Sequence, residues 1–322
     1  MGRLGLGWLG EPAAREFAEV ARQAERGGFS SVWLAETRFT REAIVASTAV
    51  ALATESIQIG TAAVNVFTRG AALTAITFAA LDELTQGRAV LGIGPGSPLV
   101  LKPQGFAFDH PVARLREFVA GVRAVWRGES YLGEHVRIDG IRMEFVPPRA
   151  EVPIFLAVTG PKALELAGEV ADGVILNAFT SSVYTKRAIE RLQAGAGRAR
   201  RTFTRYPVTG AVVVALDEAG RPGRDLVRPL VASYLTGFPN IARESGLPEE
   251  ELDRYRQVRT VRGLDAAAAE IRDEAVDMLT ATGDAEDCRR RIAEYRNAGL
   301  EEPILFAASA QIERVIDELA EA

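Results

Sequence analysis

"VPIFLAVTGPKALELAGEVADGVILNA", residues 152–178, joins two apolar runs through a helix start. The runs "VPIFLAV" from Val152 and "DGVILNA" from Asp172 are apolar almost throughout rather than alternating. That is the pattern of parallel strands covered on both faces. Between them, Thr159 is a candidate helix cap and Pro161 suits a first helical turn. The exposed N–H groups of such a turn can also hold an anion. Pro161 has no N–H, so the donors for an anion would be neighbours such as Gly160 and Lys162. Lys162 adds charge there or points to water.

The same strand–helix alternation recurs outward in both directions. Apolar runs stand at "LGLGW" from Leu4, "SVWLA" from Ser31, "IQIGTAAV" from Ile57 and "RAVLGIG" from Arg88. Two more follow at "VTGAVVVAL" from Val208 and "EPILFA" from Glu302. Amphipathic stretches separate them, as in "EPAAREFAEVARQAERGG", where Ala14, Phe17, Val20 and Ala21 recur at helical spacing. Eight such alternations in 322 residues predict an α/β fold, a (β/α)8 TIM barrel forming one domain over residues 1–322. Two stretches interrupt the rhythm and read as loop insertions. Residues 98–151 hold the helix "PVARLREFVAGVRAVWRG" and an expected hairpin "EHVRIDGIRMEF"; residues 217–280 hold several extra helices, expected to pack outside the barrel.

Composition narrows the function. The chain is 48% hydrophobic and 25% charged, ordinary for a globular protein, and its net charge of -5 argues against a nucleic-acid partner. The densest basic run, "GRARRTFTR" at 197–205, reads as a solvated face. Cys288 is the single cysteine, so no intramolecular disulfide forms, and its place in an amphipathic helix suits a buried thiol better than a nucleophile. His110 and His135 lie far from it in sequence, and no metal site is expected. With no signal peptide and no run of 18 apolar residues, the expectation is a cytoplasmic protein without membrane partners. The lysines are Lys102, Lys162 and Lys186, none inside a strand, which argues against a Schiff-base mechanism.

In barrels of this kind the chemistry sits at the carboxyl ends of the strands. The loop "LGIGPGSP", residues 91–98, has three spaced glycines but lacks the third glycine position of a dinucleotide fingerprint, and proline stands where the helix should begin. It suits a loop that lets a flat ring or tail approach the backbone; a tight turn would explain only Gly94 and Pro95.

The stretches "LAETRF", "IGTAAVNVFTRGAA", "LDELTQGRAVLGIGPGSP" and "VPIFLAVTGPKALELAGEVADGVILNA" resemble, in order, the luciferase-like monooxygenase superfamily. The branch they are most similar to contains methylenetetrahydromethanopterin reductase and other oxidoreductases that use the deazaflavin coenzyme F420. The resemblance covers about residues 1–180 and resumes at "GDAEDCRRRIAEYRNAGLEEPIL", while residues 215–280 match poorly. It implies a coenzyme ring across the strand ends, backed by a non-prolyl cis peptide at Ala62–Ala63, with Ala63–Val64 as the neighbouring register. Asn65, Phe67, Thr68 and Arg69 follow in the family's Asn-Pro-Tyr-Thr-Arg positions, with Val66 in place of proline. Gly94, Gly96 and Ser97 would face the ring and tail. Thr159 and Gly160, with Asn177 and Ala178, would hold the coenzyme phosphate.

The chain also departs from the family. Gly7 and Trp8 stand where related reductases carry an acid, and Ser97 stands where some deazaflavin dehydrogenases carry another. That leaves Glu36 as the candidate catalytic acid, against a plain exposed cap. The resemblance places the substrate pocket at Trp8, Thr37 and Phe67, although Trp8 could equally be core. The implied function is F420-dependent hydride transfer to or from a small organic substrate, by a homodimer. An FMN-dependent monooxygenase is the first alternative. A coenzyme-binding barrel without turnover is the second, because family acids are missing.

Overall fold

Residues 2–36, 39–308 and 311–320 are described in a computed structural model of the chain. The expected runs become strands β1 Gly5–Trp8, β2 Ser31–Leu34, β3 Gln58–Thr61, β4 Ala89–Gly94, β5 Ile154–Ala157, β6 Gly173–Leu176, β7 Val208–Leu216 and β8 Glu302–Ala307. Each pairs in parallel with the next, and β8 pairs with β1 (Gly5 opposite Ile304), which closes the cylinder. The fold is a (β/α)8 barrel, as the spacing of apolar runs predicts.

Eight helices follow the strands: Ala14–Arg26, Ala43–Ala53, Ala71–Leu84, Pro111–Arg127, Pro161–Val170, Ser182–Arg198, Ala285–Asn297 and Ile312–Leu319. Pro111–Arg127 is therefore the barrel's own fourth helix and not inserted material. It packs on Ala71–Leu84, and its Trp126 indole donates to the Ala75 carbonyl at 2.9 Å. The expected hairpin is also displaced. It pairs Tyr131–Leu132 with Arg137–Ile138, because Glu117 accepts hydrogen bonds from the His135 and Val136 amides and anchors the turn. Residues 139–145 do not join it. The second interruption, between β7 and the short strand Ala281–Gly283, is built from helices Gly223–Gly237, Pro239–Ala242, Glu249–Arg262, Leu264–Glu270 and Asp273–Leu279.

Strand alternation sorts the apolar residues into two layers. Leu6, Trp8, Val32, Leu34, Leu91 and Leu156 point outward onto the helices. Trp33, Val90, Phe155, Ile175, Val213 and Phe306 point inward, in a cluster that also takes in Val227, Val231 and Leu235 of the insertion. Large rings fit inside the narrow barrel only because glycines face them. A Cβ on Gly60 would collide with the Trp33 ring, one on Gly173 with Phe155, and one on Gly7 with Phe306. The amino end is closed by polar groups. Buried Glu302 accepts from the Ser30 and Ser31 hydroxyls at 2.6 and 2.7 Å, and the Ser31 oxygen accepts from the Trp33 indole at 2.7 Å.

Burial, aided by neighbouring acids, pushes the Cys288 thiol up to about 12, so it is not a nucleophile near neutral pH. No described helix is long and apolar enough to cross a membrane.

Candidate active site

At the carboxyl end of β3, the buried Thr61 hydroxyl donates to the Gly92 carbonyl at 2.8 Å and accepts from the Gly92 amide at 3.1 Å. This ties β3 to β4 just before the chain turns. The next peptide, Ala62–Ala63, is cis, in the first of the two registers that the family resemblance implies. Val64 and Asn65 then run beside Ile93 and Gly94. A Cβ at Gly94 would sit 3.3 Å from the Ala157 carbonyl and 3.6 Å from the Ala63 methyl. Ala62, Ala63, Gly94 and Ala157 thus form a floor carrying nothing larger than a methyl group.

The glycine loop bounds one side of this floor. Gly96 has φ 65°, a left-handed conformation that suits glycine, and a Cβ there would overlap the Asn65 amide. Asn65 also braces its own loop by accepting from the Phe67 amide at 2.8 Å. Beside it, the Ser97 hydroxyl oxygen is buried and has no hydrogen-bond partner. Buried polar atoms are nearly always satisfied, so an orphan in the loop that follows Gly94 is chemically informative.

On the opposite side, the helix start differs from the reading of Thr159 as cap. Gly160 is the N-cap, and no side chain caps the helix. Thr159 is buried instead, and its carbonyl accepts from the Tyr184 hydroxyl at 2.7 Å. Gly160 therefore leaves the turn uncovered: a Cβ there meets nothing within 4 Å. With Pro161 lacking an N–H, the Lys162 amide is the first donor of the helix. Asn177 is exposed at the end of β6, its carbonyl accepting from Thr180 at 2.9 Å, and Ala178 lies buried beside it. Amide donors and a helix start around open space suit a phosphate.

Glu36, after β2, is not an exposed cap. The cap of helix Ala43–Ala53 is Glu42, which accepts from the Val45 amide at 2.7 Å. Glu36 instead pairs with Arg69 at 2.8 Å, and Arg69 also pairs with Glu42. Burial works against the Arg69 charge, but hydrogen bonds and charge from Glu36 and then Glu42 outweigh it and raise its pKa. Arg69 lies at the end of the loop that starts at Ala62, so the acid and the floor are held by one segment. The motif singled out Arg69, yet nothing in the sequence indicated its partners.

Of the expected substrate-pocket residues, Trp8 lies in the core. Trp8 is fully buried, stacks on Phe17 at 5.5 Å and donates to the Pro12 carbonyl at 2.9 Å. It belongs to the layer between strand and helix, because strand alternation turns it away from the interior. Phe67 packs against Phe108 at 5.6 Å and under the Arg114 guanidinium at 5.0 Å. Thr37 lies outside the described residues. Among the described residues, no group of three or more His, Cys, Asp and Glu side chains could hold a metal ion.

A family model described as luciferase-like monooxygenase matches residues 3–302. The chain belongs to this family. Among its relatives, 5,10-methylenetetrahydromethanopterin reductase of Methanolobus tindarius is 29% identical over 300 residues, covering 92% of this chain and 91% of the relative. F420-dependent glucose-6-phosphate dehydrogenase of Nakamurella multipartita is 30% identical over 217 residues, 63% of this chain and 64% of that one. The structure of coenzyme F420-dependent tetrahydromethanopterin reductase from Methanopyrus kandleri superposes with a TM-score of 0.88 at 21% identity, covering 99% of this chain and 97% of that chain. The two reductases match this chain over nearly its whole length.

Proposed function

We propose that this member of the family is an oxidoreductase that uses coenzyme F420 to transfer a hydride to or from a small organic molecule. The observation that carries the reading is the floor of Ala62, Ala63, Gly94 and Ala157 with the unpartnered Ser97 hydroxyl in the loop that follows Gly94. A flat ring needs such a surface, and its polar edge would satisfy the orphan oxygen. Asn65 and Gly96 would line the ring's edge and tail. Gly160, Thr159, Asn177 and Ala178 would hold the phosphate, which suits the open, uncapped helix start.

When bound, the deazaflavin supplies the hydride chemistry, and the protein supplies binding, orientation and exclusion of water. Glu36, two residues after β2 and oriented by Arg69, is the candidate proton-handling group. The enzyme is further proposed to act as a cytoplasmic homodimer. Exposed Val45 and Leu52 on one helix and Leu73 on its neighbour give a second copy an apolar face to cover.

A fluorescence titration of the purified protein with F420 and, separately, with FMN tests the reading. Saturable F420 binding tighter than FMN binding supports it. Tight FMN binding without F420 binding would reverse it in favour of a flavin monooxygenase.

A further inference from the structure

The basic run at residues 197–205 does more than coat a surface. Arg200, left-handed at φ 55°, turns the chain out of helix Ser182–Arg198 and back toward β7. Asp172 directly precedes β6 and Tyr206 lies two residues before β7, so this turn stands at the amino end of the barrel, opposite the Ala62–Ala63 floor. There Asp172, Arg201, Thr202, Thr204, Arg205 and Tyr206 line a cleft of about 410 Å³, large enough for a small molecule.

The cleft is built on fixed groups. The Phe203 and Tyr206 rings stack at 4.9 Å, and the buried Tyr206 hydroxyl donates to the Ala167 carbonyl at 3.0 Å. The Arg201 amide donates to the Ala196 carbonyl at 2.9 Å, and its guanidinium donates to the Ala171 carbonyl at 2.6 Å. That guanidinium is therefore held at the cleft and does not trail into solvent.

The charges are not balanced within it. Arg198, in the same run, is answered by Glu165 at 3.0 Å and Glu169 at 2.9 Å. Asp172 is the carboxylate of the lining, but Arg123 already holds it at 2.9 Å, and it stands 3.5 Å from Arg201. Among the described residues, no hydrogen bond or ion pair engages the Arg205 guanidinium. Two guanidinium groups thus face one carboxylate that a third arginine shares, and the cleft is net positive. Thr202 and Thr204 add hydroxyl donors. Guanidinium forks match phosphate and carboxylate oxygens alike, and an excess of positive charge favours the doubly charged group.

We propose that this cleft binds a phosphate group, free or carried by a small phosphorylated molecule, through Arg205, Arg201, Thr202 and Thr204. The site lies at the other end of the barrel from the proposed coenzyme site and stands independently of that reading.

Calorimetric titration in chloride buffer, with inorganic phosphate and separately with glycerol 3-phosphate, tests it. Saturable binding is expected. Tighter binding of glycerol 3-phosphate assigns the site to a phosphorylated molecule and equal binding to the free anion; either supports the proposal. Arg205→Gln is expected to weaken binding about tenfold, the order of one lost charge-assisted hydrogen bond, and Thr202→Val about threefold. Both side chains are exposed, and melts of both variants should match the unsubstituted protein. Gly160→Asp, which puts a carboxylate at the helix start on the opposite face, should leave this binding unchanged. Absence of saturable binding by either probe overturns the proposal, as does binding that persists unweakened in Arg205→Gln. The titration of the unsubstituted and Gly160→Asp proteins decides the matter even if a cleft variant fails to fold: binding lost in Gly160→Asp belongs to the helix start and not to this cleft.

Discussion

Replacing Gly160 by aspartate separates fold stability from coenzyme binding at one residue. Gly160 has φ −75° and ψ 152°, open to any L-residue, and space for a side chain lies in front of it. Aspartate is a preferred N-cap and glycine only slightly worse, so Gly160→Asp should change stability by a few tenths of a kcal/mol, in the stabilising direction. Coenzyme binding should move the other way. The new carboxylate would take the first-turn donors and face the phosphate. Two unit charges about 5 Å apart repel by ~3 kcal/mol at an effective dielectric of about 20. Because the site is half-exposed, about half to all of that survives, which is roughly ten- to a hundredfold in affinity. Gly160→Asn adds the same bulk without the charge and should bind within about threefold of the unsubstituted protein. Thermal melts report stability, and F420 fluorescence titrations report affinity. If Gly160→Asp melts no lower than the unsubstituted protein and binds F420 as tightly, the phosphate is not at this turn.

Four further outcomes follow from the same geometry. Gly96→Ala forces a methyl into the Asn65 amide in a left-handed conformation that costs about 1 kcal/mol by itself, so both the melting temperature and F420 affinity should fall. Trp8→Phe loses the bond to Pro12 and should cost about 1 kcal/mol of stability in urea unfolding with F420 affinity unchanged; lost affinity in a stable variant would return Trp8 to the pocket. Burial raises the Glu25 pKa, but the Ser56 and Ile57 amides, the Ser56 hydroxyl and the Glu55 amide outweigh it and hold the carboxyl below its ordinary value of 4.5. Its stabilising contribution is thus present above 4.5 and lost as pH falls through the lower folded value, so the difference between Glu25→Gln and the unsubstituted protein in urea midpoint should shrink on acidification through that range. Cys288 should resist a thiol-reactive dye in the native protein and react fully on unfolding, as burial and its raised pKa require.

The barrel was legible because eight strands buried on both faces must be apolar throughout, and local composition records that directly. The hairpin's register is not legible locally, because it depends on Glu117, which lies on the preceding helix and accepts from the His135 and Val136 amides. The residues between β4 and helix Pro111–Arg127 break the sequence rhythm, and only the packing of that helix on Ala71–Leu84 makes it part of the ring. At the site, small residues at Ala62, Ala63, Gly94 and Gly96 could be read from motif order. The pairing of Glu36 with Arg69 could not, since residues of two different loops meet only after the barrel closes. Nor could the inward partners of the strand glycines: the Phe306 ring lies against Gly7 and leaves no room for a side chain there. Trp8 shows the converse. One step of strand alternation decides between pocket and core, and it faces Phe17.

A crystal structure of the protein soaked with F420 tests the central claim most directly. The account predicts the ring lying on Ala62, Ala63, Gly94 and Ala157, a ring-edge atom within hydrogen-bond distance of the Ser97 hydroxyl, and the phosphate at the Gly160–Lys162 turn. Density for the coenzyme anywhere else on the barrel, or a ring site with Ser97 still unpartnered and the Gly160 turn empty, would contradict it.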